Sequence, residues 1–140
     1  MTTAIDTNVL VTLWDVEDTV HGPARKALEA AFERGSLVLV GAVYAELLAA
    51  PGRTEEFLDQ FCEETGIGVE WNVTEQVWRE AGLAFQGYAA RRKKQKGTEP
   101  PRILADFLIG AHAAVNGYRL LTLDEGLYRA SFPKLVTVTV

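Results

Sequence analysis

Short apolar runs of β-type residues alternate with helical segments along all 140 residues of this chain. Residues 36–40 (SLVLV) form an almost wholly apolar run, which is typical of a strand buried on both faces of a parallel sheet. The preceding residues 22–35 carry apolar side chains every three or four positions opposite charged ones, which is the pattern of an amphipathic helix. This helix has Pro23 at its first position and Gly35 at its end. The alternation predicts an α/β fold with a parallel sheet and helices on both faces.

The rest of the chain continues this alternation. Helices are predicted over residues 42–50, 54–65, 74–94 and 103–116, and further strands over residues 66–71, 118–123 and 135–140. No internal repeat or low-complexity tract interrupts the pattern. We therefore expect one domain spanning residues 1–140.

Composition narrows the class of protein. The formal net charge is −5, which argues against nucleic-acid binding through bulk positive charge. Cys62 is the only cysteine, so an internal disulfide and a cysteine-rich zinc site are excluded. The absence of a long apolar run argues against a membrane span, and we expect a soluble, cytoplasmic protein.

Two acidic residues follow predicted strands directly. Asp6 closes the first apolar run, and Asp124 follows the strand predicted over residues 118–123. Ligands of open parallel sheets bind outside the carboxyl ends of the strands, so both positions are candidates for a functional site. The alternative is that each aspartate only caps a helix or turn.

Two further acids stand alone in apolar helices. Glu46 lies in the segment VYAELL and Asp106 in ILADFLI. A buried carboxylate requires a partner, although both residues could instead lie in the first turn of a helix, where the helix dipole favours negative charge. If all four acids converge, their repulsion favours a divalent cation, and oxygen ligands of this kind suit Mg²⁺ or Mn²⁺.

The order and spacing of these acids resemble the pattern of the PIN-domain ribonucleases, and more narrowly that of the VapC-type toxins of toxin–antitoxin pairs. The likeness spans essentially the whole chain and rests on residues 5–10 (IDTNVL), Glu46, residues 105–111 (ADFLIGA) and residues 122–124 (TLD). It implies a three-layer α/β/α fold with a central, mainly parallel sheet of about five strands. It also implies a metal-dependent endoribonuclease that hydrolyses RNA with Mg²⁺ or Mn²⁺.

The same resemblance implies roles for individual residues. Asp6 and Asp106 match the family's first and third acids and would bind the metal, and Glu46 would complete its shell directly or through water. Asp124 matches the fourth, least uniform position; the family often has a basic residue before it, where this chain has Leu123. All four acids are thereby predicted to be catalytic. The polar residues beside them, Asn8 and Thr122, would orient water or ligands.

Partners follow from the resemblance as well. It implies an RNA substrate, a cognate antitoxin protein that represses the activity, and a homodimer or a higher complex with the antitoxin. In such toxins an apolar groove accepts an antitoxin helix, and residues 47–50 and 55–61 would supply it here. Which RNA is cleaved is left open between transfer, ribosomal and messenger RNA.

A basic segment precedes the helix that carries Asp106. Residues 91–102 hold six basic residues and one acid, a local charge of +5 in a chain of net −5. We predict that RNA phosphates are bound by some of its first four residues, Arg91, Arg92, Lys93 and Lys94. The alternative is a solvated helix end, where basic residues are also favoured.

Two other functions fit part of the pattern. An apolar strand followed by Asp6 is also found in haloacid-dehalogenase-like phosphatases, in which this aspartate would be the nucleophile. Those enzymes usually carry a second aspartate two residues later, where this chain has Asn8. The other alternative is a PIN-like module that binds RNA or a partner without catalysis.

Overall fold

The computed structural model describes residues 1–95 and 101–140, and these residues form a five-stranded sheet flanked by helices. The strands are β1 (Thr2–Ile5), β2 (Ser36–Val40), β3 (Gly68–Glu70), β4 (Arg119–Thr122) and β5 (Thr137–Thr139). The helices are α1 (Thr7–Leu13), α2 (His21–Arg34), α3 (Gly41–Leu48), α4 (Glu55–Thr65), α5 (Glu75–Lys94), α6 (Leu104–Asn116) and α7 (Glu125–Ser131).

All strand pairs are parallel, and the strand order is β3-β2-β1-β4-β5. From β1 the chain adds β2 and β3 on one side, and then crosses through α5 and α6 to add β4 and β5 on the other. The order therefore reverses between β1 and β4, and a crevice forms where the connections after these two strands part. The predicted α/β/α fold with a parallel sheet of five strands is confirmed.

The central strands are buried, as their apolar runs predict. Strand β2 has only its first residue exposed, and Ile5, Leu120 and Leu121 are each at most 1% exposed. Their side chains join one hydrophobic core with α3 and α6. Among the described residues, no helix is long and apolar enough to span a membrane.

Most predicted elements are present, and the differences lie at short ones. The sequence does not predict helices α1 and α7, of seven residues each, because each begins within three residues of the end of a strand and carries no periodic pattern of its own. The last strand is shorter than the predicted 135–140. Thr74 caps the N-terminus of α5, since its hydroxyl accepts a hydrogen bond from the Val77 N–H at 3.3 Å.

Helix α6 packs closely against α7 at Gly110. A β-carbon there would lie 2.3 Å from a ring carbon of Phe132 and 3.0 Å from one of Tyr128. Both rings are buried, so neither can swing into solvent to make room. Glycine at this position therefore sets the distance between the helix that carries Asp106 and the helix that follows Asp124.

We expect Gly110→Ala to lower the free energy of unfolding by about 1–3 kcal/mol, because the extra methyl group overpacks this contact. Gly82→Ala is the matched control. Gly82 lies on the exposed face of α5 with open space around it, so alanine should stabilise the protein by about 0.5–1 kcal/mol. Urea denaturation of both variants checks the opposite signs; equal effects would contradict the close-packing interpretation.

Candidate functional site

Four carboxylates from four separate parts of the chain line one cavity. Asp6 follows β1, Glu46 lies in α3, Asp106 in α6, and Asp124 immediately before α7. The cavity has a volume of about 360 Å³ and is here called the acidic cavity. The rest of its lining consists of Thr7, Asn8, Val11, Thr12 and Arg102. The structure thus brings together all four acids that the sequence singles out.

Asp6 is the most buried of these acids, with 5% of its surface exposed. Its carboxylate accepts hydrogen bonds from the Thr7 N–H and the Thr122 hydroxyl, both at 2.8 Å. Burial nevertheless raises the pKa of Asp6 from its ordinary 3.8 to about 6, and the negative charge of Asp106 contributes to the rise. Asp6 does cap helix α1, because its side chain accepts the hydrogen bond from the Thr7 N–H. A helix cap alone, however, does not require a carboxylate that is buried beside a second acid.

Tyr128 is a further buried residue at this site, and no local sequence pattern indicates it. Its hydroxyl lies near the Asp6 carboxylate and lowers the pKa of Asp6. Among the described residues, this hydroxyl has no partner with hydrogen-bond geometry. Burial, followed by the charge of Asp6, raises the pKa of Tyr128 well above its usual range. The phenol therefore stays protonated and presents an O–H group to the carboxylate side of the site.

Thr122 and Asn8 connect the elements that carry the acids. The Thr122 hydroxyl donates to Asp6 and accepts a hydrogen bond from the Asp124 N–H at 2.9 Å. The Asn8 side chain accepts one from the Leu123 N–H at 3.2 Å. The two polar residues thus hold the segment after β4 against the end of β1. Orientation of water or ligands by them stays a prediction.

Glu46 and Asp106 differ in their positions on their helices. Glu46 is in the last turn of α3 and accepts a hydrogen bond from the Thr7 hydroxyl at 2.7 Å, so the helix-start alternative is wrong for it. Asp106 is in the first turn of α6 and accepts one from the Ile103 N–H at 3.2 Å, so that alternative describes Asp106 correctly. Both side chains are half-buried at the cavity.

Arg102 supplies a basic partner that was not foreseen from the sequence. Its guanidinium forms an ion pair with the Asp124 carboxylate at the edge of the acidic cavity, where the Arg102 side chain is 37% exposed. The two residues are 22 positions apart, so only the fold brings them together. Asp124 is therefore partly neutralised, unlike Asp6.

The basic segment divides into two parts. Arg92 and Lys93 line a second cavity, which also contains Arg102, whereas Arg91 and Lys94 line neither of these two cavities; Arg91 contacts Ser131 at 3.4 Å. Residues 96–100 of the segment lie outside the described residues. Phosphate binding by some of Arg91, Arg92, Lys93 and Lys94 stays a prediction.

The donor set of the acidic cavity fits a hard divalent cation. All four acids offer oxygen ligands, and Mg²⁺ commonly uses only one or two carboxylates, completing its shell with water and phosphate oxygens. The buried Asp6 charge lacks a cationic partner among the hydrogen bonds and ion pairs of residues 1–95 and 101–140. Within the same residues, no three His, Cys, Asp or Glu side chains form a ready-made metal cluster. The cavity is thus a set of suitable ligands, with no preformed coordination shell in the described chain.

Comparison with known proteins identifies a family for this architecture. A family model described as "PIN domain" matches residues 3–133. No curated protein matches the chain.

Solved structures provide several similar folds. A toxin–antitoxin complex from Klebsiella pneumoniae has a TM-score of 0.67 at 18% identity, covering 99% of each chain. VapBC-1 from nontypeable Haemophilus influenzae has a TM-score of 0.66 at 22% identity, covering 99% of this chain and 98% of that one. VapC20 of Mycobacterium tuberculosis, described as a sarcin–ricin loop cleaving toxin, has a TM-score of 0.59 at 16% identity, covering 91% and 94%.

We expect the raised pKa of Asp6 to make wild-type stability depend on pH. Between pH 3.8 and about 6 the folded protein holds a proton that the unfolded chain has lost, so stability falls as the pH rises through this window and stays low above it. One pH unit corresponds to about 1.4 kcal/mol, so the cost at pH 8 is up to about 3 kcal/mol. Asp6→Asn, which carries no charge, should therefore be the more stable protein at pH 8.

Urea denaturation in EDTA at pH 4.5 and pH 8 measures this difference. The advantage of Asp6→Asn should shrink markedly at pH 4.5. An equal difference at the two pH values would show that Asp6 ionisation does not control it.

Proposed function

This chain belongs to the PIN domain family, and we propose that it is a metal-dependent endoribonuclease and the toxin of a VapBC-type toxin–antitoxin pair. The observation that carries the proposal is the convergence of Asp6, Glu46, Asp106 and Asp124 on one cavity. PIN-domain nucleases generally use divalent metal ions, and these four acids provide the oxygen ligands that Mg²⁺ or Mn²⁺ prefers.

In this proposal the buried acid and its neighbour provide the main ligands. Asp6 and Asp106 hold the metal, Glu46 completes its shell directly or through water, and Asp124 contributes at the edge of the cavity. A bound divalent cation supplies positive charge that stabilises the phosphodiester transition state and makes a water molecule more acidic. Because these acids come from four separate parts of the chain, the proposed ligand set would depend on the correct fold.

The other polar residues fix these ligands. Thr122 holds one oxygen of Asp6, and Thr7 holds one oxygen of Glu46. A ligand whose rotamer is fixed by such a hydrogen bond loses less conformational entropy on binding. Arg102 is placed at the edge of the cavity, where its planar guanidinium can bind a phosphate oxygen of the substrate.

An aromatic cluster beside α4 supports the proposed antitoxin partner. The Trp14 ring lies 5.2 Å from both Phe57 and Phe61, and the Arg53 guanidinium lies 4.5 Å from the Phe57 ring centroid. All four side chains are only half-buried. Structural neighbours of this chain are toxin–antitoxin complexes, in keeping with an antitoxin helix that packs apolar side chains on this cluster.

The family match bears on only one of the two alternative functions. The match to the PIN domain family gives no support to a dehalogenase-like phosphatase, in which Asp6 would form a covalent phosphoenzyme. A PIN-like module without catalysis is separated from the proposed enzyme by the assay that follows.

We expect the purified protein to cleave RNA with Mg²⁺ or Mn²⁺ and not in EDTA. Asp6→Asn and Asp106→Asn should each reduce the rate by at least about 100-fold, since even outer-shell changes at metal sites cost about 10–100-fold. Glu33→Gln, which neutralises an exposed acid on α2, is the matched control and should keep full activity. Gel analysis of end-labelled RNA measures the rates.

Three results would contradict the proposed function. Cleavage in EDTA would show that the reaction needs no metal ion. Full activity of both aspartate variants would show that the acidic cavity is not the active site. RNA binding without cleavage under all metal conditions would identify a non-catalytic module.

The toxin role predicts growth arrest. Inducing this chain alone in a bacterial host should stop growth within a few generations, because unchecked RNA cleavage blocks translation. Asp6→Asn and Asp106→Asn, produced at equal levels, should permit growth, whereas Glu33→Gln should not. Optical density with immunoblotting measures the result, and normal growth with soluble, RNA-cleaving wild-type protein would contradict the toxin role.

A further inference from the structure

A second cavity adjoins the acidic cavity and shares Arg102 with it. It has a volume of about 410 Å³, and we call it the aromatic groove. Its lining is formed by Phe85, Tyr88, Ala89, Arg92, Lys93, Pro101 and Arg102. A substrate strand that leaves the acidic cavity past Arg102 therefore enters a groove with apolar walls and basic side chains.

The floor of the groove is built on the helix that carries Asp106. Phe85 stacks on Phe107 with ring centroids 4.8 Å apart, and Tyr88 lies 5.3 Å from the same ring. Phe107 is fully buried and directly follows Asp106 in the sequence. One turn of α6 thus supports the acidic cavity through Asp106 and the aromatic groove through the next residue, Phe107.

Tyr88 also ties the groove to the segment before α6. Its hydroxyl accepts hydrogen bonds from the Arg102 N–H at 2.8 Å and from the Arg92 guanidinium at 3.3 Å. The Arg102 hydrogen bond, and then the basic neighbours, lower the pKa of Tyr88. The backbone of Arg102 is therefore fixed at the groove while its guanidinium pairs with Asp124 in the acidic cavity.

We propose that the aromatic groove binds one nucleotide of single-stranded RNA next to the cleaved bond. The base packs against Phe85 and Tyr88, and the flanking phosphates contact Lys93 and Arg102. The inference rests on the proposed ribonuclease function and adds a substrate subsite to it. The groove volume lies within the range of about 300–1,000 Å³ that is usual for small-molecule sites.

Charge and chemistry favour a nucleotide as the occupant. The net charge of the chain is −5, yet the lining of the groove combines apolar and aromatic side chains with the basic residues Lys93 and Arg102. Every nucleobase has a π-face that packs on aromatic rings, whereas its phosphates require cations. The groove supplies both kinds of contact beside carboxylates that would bind the metal.

The test uses a 12-nucleotide single-stranded RNA of mixed sequence that the wild-type protein cuts at one bond. Abasic nucleotides are introduced singly at the two positions on each side of this bond, and kcat/KM is measured for each RNA. We expect the abasic change at one position to lower kcat/KM by about tenfold with wild type, because base contacts with aromatic rings are lost. With Tyr88→Leu, intact RNA should already show the loss, and the same abasic change should add little.

Charge variants give a second measurement that does not depend on the core. Lys93→Ala changes an exposed side chain in the groove, and Lys26→Ala makes the same charge change at an exposed position of α2 that lines neither cavity. Binding of the 12-nucleotide RNA in EDTA is followed by fluorescence anisotropy at several salt concentrations. Lys93→Ala should reduce the slope of log affinity against log salt by about 0.7, the value of one phosphate contact on a single strand, and Lys26→Ala should leave it unchanged.

The outcomes separate the two proposals. If wild type cuts no RNA, the ribonuclease function fails and the subsite fails with it. If wild type cuts RNA but all abasic effects persist in Tyr88→Leu, or if Lys93→Ala and Lys26→Ala have equal slopes, the subsite alone is overturned. Should Tyr88→Leu prove unfolded by circular dichroism, the comparison of the two lysine variants decides.

Discussion

The buried carboxylate of Asp6 is the constraint on which the rest of the site depends. It stands at the end of β1, where the strand order reverses, so the segment after β4 must pass close to it. Hydrogen bonds from Thr7 and Thr122 reduce the cost of burial without removing it, since the pKa of Asp6 stays raised to about 6. A buried carboxylate with a pKa perturbed in this way is typical of functional sites.

Packing on the far side of Asp6 reinforces this arrangement. Tyr128 fills the space beside the carboxylate, and its ring contacts the helix α6 at Gly110. Because glycine lets α6 and α7 approach closely, the elements that carry Asp106 and Asp124 are held at a fixed separation. The geometry of the acids is therefore determined by core packing as much as by their own contacts.

Several parts of this structure could be predicted from the sequence, because short segments of the chain carry their pattern. The buried strand β2 has an apolar run of its own length, and Asp6 and Glu46 each interrupt an apolar pattern, so they are recognisable without the fold. The ion pair between Arg102 and Asp124 could not be predicted, since it joins residues from separate elements. The burial of Tyr128 likewise depends on a contact between two helices that no local pattern encodes.

The net charge of the whole chain also does not show which charged residues the fold brings together. A value of −5 argues against nucleic-acid binding only if the charges are spread evenly, and they are not. Four acids share one cavity, while Lys93 and Arg102 line the groove beside it. A phosphate approaching the acidic cavity would be repelled by Asp6 and Asp106 unless a cation intervened, and it would be attracted by the groove in any case. Under the proposed function, affinity for the strand and reactivity at the bond would therefore depend on different charges, and Arg102 lines both cavities.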